Sequence, residues 1–196
     1  MKGSRRFSQA ISEGDGISVL VEARDAEAAR AAEGDGAEAI VLRAPNADVR
    51  GATELPILWC VPDSLAHASR AEADAYLLTF EDVADEEEQL EHLVMRVREL
   101  GMDCVVDVRD EEELEGALER VDPEIVLLSG RDGDELEKLE HMLELLPDVP
   151  AGKLAIAELR DARRDDVVEL ERAGFDAVIV GVGDVAELVG GAPPEV

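Results

Sequence analysis

Lysine is nearly missing from this chain. Lys2, Lys138 and Lys153 are its three lysines, and all basic residues together number 19 against 48 acidic ones, a net charge of −29. A chain this acidic has no basic face to offer a phosphate backbone or an anionic membrane surface, so neither nucleic acid nor membrane is an expected partner. Aromatic residues make up only 3 % of the chain. Any core must therefore be built from Val, Leu, Ile and Ala. Cysteine is limited to Cys60 and Cys104, too few and too far apart for a disulfide framework or a metal-spaced cluster, which fits a reducing compartment. No run approaches the ~18 apolar residues of a membrane span. No apolar segment follows Met1–Arg6 as it would in a secretory signal, so the expected location is the cytoplasm. The acidic excess favours solubility at a cost in self-repulsion, and reads as a solvated surface suited to a salty cytoplasm; a cationic partner is the sharper alternative.

What is present is a rhythm. Eight short runs of aliphatic and β-branched residues each precede a stretch rich in Ala, Glu and Leu. The runs are Ile17–Ala23, Ala37–Leu42, Leu55–Cys60, Ala73–Thr79, Asp103–Val108, Glu124–Leu128, Lys153–Ala157 and Ala177–Val180. Near-continuous apolar strands alternating with helices predict a parallel sheet covered on its outer face, and eight such units close a TIM (β/α)8 barrel. With 196 residues, below the ~250 typical of that fold, the expectation is one compact domain: a lead-in over 1–16, a barrel over 17–190 and a tail over 191–196. Asp25 reads as a helix N-cap. Pro45 and Gly51 leave room for no more than a turn after strand two. Leu90, Leu93, Val94, Val97 and Leu100 form a helical stripe ended by Gly101. His67, His92 and His141 lie on separate helices without ligand spacing and read as exposed. Met95, Met102 and Met142 read as core filler, and Trp59 as packing outward against helices.

In such barrels function sits at the C-terminal ends of the strands. Glu22, Asp107 and Glu158 fall there, and a carboxylate at the end of an apolar strand is costly unless paired or used. Arg24, Arg131 and Arg160 are the expected partners. The mixed cluster could serve as an inert ion-paired lid, as an anion site or as a carboxylate cage for a divalent metal. Gly181-Val182-Gly183, between strand eight and the last helix, has the composition of a phosphate-binding turn at a helix N-terminus, although Asp184 beside it would repel a dianion.

Particular segments resemble indole-3-glycerol-phosphate synthase. They are Val19-Leu-Val-Glu, Leu55-Pro-Ile-Leu, Gly101-Met-Asp-Cys-Val-Val-Asp-Val-Arg-Asp-Glu-Glu-Glu-Leu, Leu128-Ser-Gly-Arg-Asp, Leu145-Leu-Pro followed by Ala155-Ile-Ala-Glu, and Ala173-Gly-Phe-Asp-Ala-Val-Ile-Val-Gly. The register holds from about Phe7 to Leu188. The resemblance implies a barrel for a phosphorylated small molecule, with no cofactor and no metal, closing an indole ring with loss of CO2 and water. That family uses lysines on strands one and three and glutamates on strands one, five and seven. Matched by position, the glutamates fall on Glu22, Asp107 (one methylene shorter) and Glu158, the implied catalytic residues. The strand-one lysine falls on Arg24 and the strand-three lysine on Cys60. The implied ligand contacts are Arg24, Ser129 (where the family has asparagine), Arg131, Arg160, Gly181, Val182 and Gly183. Leu159-Arg160 replaces the Ser-Gly of the phosphate cradle, and about sixteen residues stand where the family has a long N-terminal helical extension. Arginine keeps its proton throughout the accessible pH range and cannot serve as a general acid. The expectation is therefore a family relative with ring closure lost or altered. A non-catalytic minimal barrel with a structural or binding role is the alternative, and an active synthase of tryptophan biosynthesis a second one.

Overall fold

The computed structural model describes residues 5–14, 16–46, 48–62, 65–80, 89–130, 133–181 and 185–189. Eight parallel strands follow one another around a closed barrel: β1 (Ser18–Glu22), β2 (Ala39–Leu42), β3 (Ile57–Trp59), β4 (Ala75–Thr79), β5 (Asp103–Val108), β6 (Ile125–Ser129), β7 (Leu154–Glu158) and β8 (Ala177–Val180), with β8 pairing back onto β1. The TIM-barrel expectation holds. Helices α1 (Arg6–Ser12), α2 (Ala26–Gly34), α3 (Leu65–Arg70), α4 (Gln89–Glu99), α5 (Glu111–Arg120), α6 (Glu135–Leu145), α7 (Arg164–Ala173) and α8 (Val185–Val189) precede or alternate with them. Asp25 caps α2 by accepting from the N–H groups of Glu27 and Ala28, and Asp134 and Glu137 cap α6 reciprocally. Between β2 and β3 the described residues form only a turn, closed by the Ala52 N–H on the Val49 carbonyl. Buried Val49 and the Arg50 guanidinium, which bonds Asp74 and the Leu55 carbonyl, fasten that connection in place of a helix.

The strands alternate between two apolar layers. Outward residues such as Val21, Leu42, Trp59, Val106 and Val178 pack under the helices. Inward residues fill the barrel: Leu20, Ala39, Val41, Leu58, Ala75, Val105, Ile125, Leu127, Ile156, Ala177 and Ile179. Phe7 and Ile11 of α1 are fully or almost fully buried and join this inner set from below, so α1 is the barrel's floor. Its position is fixed by the Ser8 N–H on Asp103 and by Arg6 on Asp74.

Two readings of single side chains need correction. Met95 is exposed, because it falls on the solvent side of α4 while Leu90, Val94 and Val97 face the core. His141 is half-buried on α6, and its Nε2 lies 2.7 Å from the Arg109 carbonyl. A carbonyl can only accept, so Nε2 carries the proton and the ring ties α6 to the end of β5.

Candidate active site at the barrel mouth

The pairing registers decide which side chains meet. In a tilted barrel, residues at one height come from alternate strands. Stepping around the registers brings Glu22 of β1, Cys60 just past β3, Asp107 of β5 and Glu158 of β7 into one inward-facing layer. This layer lies directly above the inner residues Leu20, Leu58, Val105 and Ile156. The even strands supply the layer above it: Arg43, Thr79, Ser129 and Gly181. The three carboxylates singled out in the sequence thus meet, as does the cysteine at the strand-three lysine position.

The residue that sequence reasoning missed is Arg43. Its Nε lies 3.3 Å from Glu22 Oε2 and its Nη2 2.8 Å from Glu158 Oε1, so one guanidinium spans the carboxylates of β1 and β7. Both nitrogens are shut off from solvent and reach the carboxylates as charge contacts without aligned hydrogen-bond geometry. Burial pulls the Arg43 pKa down, but Glu158 first, then Cys60 and Glu22, more than reverse this, so it is raised above the ordinary arginine value. Arg160 completes the cluster, donating from Nε to Glu158 at 3.2 Å and lying 3.6 Å from Glu22. The expected partnership is corrected accordingly. Arg24 is exposed and pairs with none of the described carboxylates, because the chain turns outward after β1 into α2. Arg131, Val182 and Gly183 lie outside the described residues.

Cys60 carries a thiol that holds its proton far above neutral pH. Burial pushes its thiol up to about 12, opposed by Arg43 and reinforced by Glu158, Asp107 and Glu22. A proton donor so far from neutral is a poor general acid. Lys138 lies beside Gly130 at the end of β6 but has its ammonium on Glu135 of α6, and Lys153 pairs with Asp122 and the Pro123 carbonyl at the far end of the barrel. Asp107 is different. It is 8 % exposed, and burial raises its carboxyl to about 6. A hydrogen bond with Ser129 opposes the rise, Glu158 adds to it, Arg109 opposes it and Glu113 adds again. Its Oδ1 is buried without a hydrogen-bond partner.

The glycine turn after β8 is partly spent. The Gly181 N–H donates to the Arg160 carbonyl at 2.8 Å, and a Cβ on Gly181 would come within 2.9 Å of that oxygen. This glycine therefore stitches the β7 and β8 loops together, and its N–H does not face a ligand. Leu159 is 1 % exposed and packs with the outer core. Among the described residues no group of three or more His, Cys, Asp or Glu side chains could hold a metal ion, and no helix is long and apolar enough to cross a membrane.

Known proteins place this geometry in a lineage. The sequence profile of indole-3-glycerol phosphate synthase matches residues 60–184. The indole-3-glycerol phosphate synthase of Bacillus licheniformis is 35 % identical over 142 residues, 68 % of this chain and 54 % of the relative. That of Chlorobaculum tepidum is 39 % identical over 115 residues, 58 % of this chain and 44 % of the relative. This chain spans about half the length of the curated relatives it matches. Among solved structures, the N-acetylmannosamine-6-phosphate 2-epimerase of Clostridium perfringens superposes with a TM-score of 0.69 over 91 % of both chains at 17 % identity, a likeness of fold. On the profile match and the identities together, the chain belongs to the indole-3-glycerol phosphate synthase family.

Proposed function

We propose that this chain is a family member that no longer closes the indole ring, and that its mouth is a binding site rather than the family's lyase centre. One observation carries the reading. The layer that would need a lysine general acid holds Glu22, Cys60, Asp107 and Glu158, with a thiol of pKa about 12 at the strand-three position. Among the described residues, the cations that reach this layer, Arg43 and Arg160, are engaged with Glu22 and Glu158 and cannot release a proton near neutral pH. Losing a positioned general acid costs about 10²–10⁴ in rate. The test is a fluorescence assay for indole-3-glycerol phosphate formation from the anilino-deoxyribulose phosphate. No turnover above background is expected. Turnover of roughly 1 per second, an ordinary enzyme's rate, or rescue of a tryptophan auxotroph, would overturn the reading.

A second reading keeps the phosphorylated ligand. It is favoured by the half-exposed Arg160, whose 3.6 Å contact with Glu22 is loose enough for a phosphate to displace. A thermal-shift series with phosphorylated metabolites distinguishes the two, since any ligand that prefers the folded state must stabilise it. A response lost in Arg160→Ala supports the second reading. No response supports a mouth held shut to anions by its own ion pairs.

A further inference from the structure

The two upper layers divide into unlike halves. On the side of β7, β8, β1 and β2, the charged side chains among the described residues of these layers are paired: Glu22 and Glu158 are bridged by Arg43 and Arg160. On the side of β3, β4, β5 and β6 the inward positions are Cys60, Thr79, Asp107 and Ser129, with Thr79 beside Asp107 in the sheet. Here the thiol is neutral, the hydroxyls are half-buried, and among these four inward positions the charged side chain, Asp107, carries a bare buried oxygen, Oδ1.

From that asymmetry we infer that this half of the mouth is a subsite for a small organic cation, a primary ammonium group that donates to Asp107 Oδ1 and to the hydroxyls of Ser129 and Thr79. A buried carboxylate oxygen without a donor is costly, and an N–H⁺ group removes that cost more fully than a neutral donor. Among the described residues, the charged groups around Asp107 are Glu158 and Glu113, both negative, and Arg109, positive. Glu158 outweighs Arg109 in raising the Asp107 pKa, so the local field disfavours an anion. Among the described residues no set of three groups forms that could hold a metal cation. The net charge of −29 adds a long-range bias toward counter-ions of opposite sign. The inference rests on the reading that the mouth no longer takes the family's anionic substrate, but it fails separately. Ring closure overturns that reading, whereas the measurements below address the ammonium alone.

Ethylammonium is the probe, with tetramethylammonium and sodium as chloride salts at matched ionic strength. Tetramethylammonium carries the same charge and cannot donate a hydrogen bond. The Asp107 side-chain carboxyl is followed by carbon NMR through a pH titration of the native chain. Ethylammonium is expected to lower its midpoint by about half a pH unit, roughly a threefold change in proton affinity, because an ammonium favours the carboxylate. The other two cations should leave it in place. In thermal melts ethylammonium should stabilise the native chain more than the other salts do, and Asp107→Asn should abolish the difference. Equal responses to all three cations, or an ethylammonium response that survives in Asp107→Asn, would overturn the inference. The titration needs no variant, so a poorly folding substitution does not decide it.

Discussion

At the scale of the residue, burial works against ionisation at Asp107. Its ordinary carboxyl value of 3.8 rises to about 6 in the folded chain, first through burial. An acid whose pKa is raised by folding binds more protons folded than unfolded between those two values, so stability falls as pH rises through the interval. The contribution is fully present below about 4 and is lost by just above 6. A rise of roughly two units corresponds to about 3 kcal/mol at most. Asp107→Asn keeps the shape and a partner for Ser129 but carries no charge. Its stability relative to the native chain should therefore increase between pH 4 and pH 7, by about 1–3 kcal/mol. Denaturant melts of both proteins at several pH values check this, and the difference cancels other carboxylates, such as Glu91, whose pKa is lowered by Arg120. A difference that stays flat with pH would show that Asp107 is ionised at little cost.

At the scale of the element, the fold was legible because parallel barrel strands are apolar on both faces and so stand out as continuous runs. The predicted and observed strands differ by no more than two residues at any end, and β5 and β8 coincide. The site was legible where a charge ended such a run, as at Glu22 and Glu158. Arg43 was not, because the apolar run of β2 ends at Leu42 and a charge beyond it belongs to no run. Continuing the inward alternation Ala39, Val41 by one step would have found it, since that period of two holds a little past the hydrogen-bonded strand. The partners of Glu22 depend on the barrel's register, which no local pattern specifies. Helix α1 gives a prediction of its own. Phe7 is 0 % exposed and closes the inner core from below. Phe7→Ala should cost about 3–5 kcal/mol, the range for an aromatic removed from a packed core, although it lies in a short helix ahead of the first strand. Urea melts measure it. A loss under about 1 kcal/mol, the range of surface substitutions and mild repacking, would mean that the floor is dispensable.

At the scale of the whole molecule, the decisive quantity is the excess of 29 negative charges. The ion pairs of the surface do little against it. Arg5 with Glu124 and Arg96 with Glu99 are at least half exposed, and such pairs contribute about 0–1 kcal/mol each. The mouth cluster of Glu22, Arg43 and Glu158 is 14–25 % exposed at its side chains, so salt screens it far less than it screens the surface. Raising ionic strength from about 0.01 M to 1 M shortens the Debye length from about 30 Å to 3 Å. That removes most long-range repulsion among surface carboxylates while leaving the mouth largely intact. Helix caps such as Asp25 and Asp134 lose some of their macrodipole attraction, but each is worth only about 0.3–1 kcal/mol and their hydrogen bonds persist. Relief of repulsion therefore exceeds the loss of local attractions, and the melting temperature should rise across that range of NaCl. Chloride is the anion to use, because sulfate would add its own exclusion from the protein surface. A flat or falling melting temperature would mean that the carboxylates are spaced so that their repulsion is already weak at low salt, and the acidic surface would then need another explanation than self-repulsion.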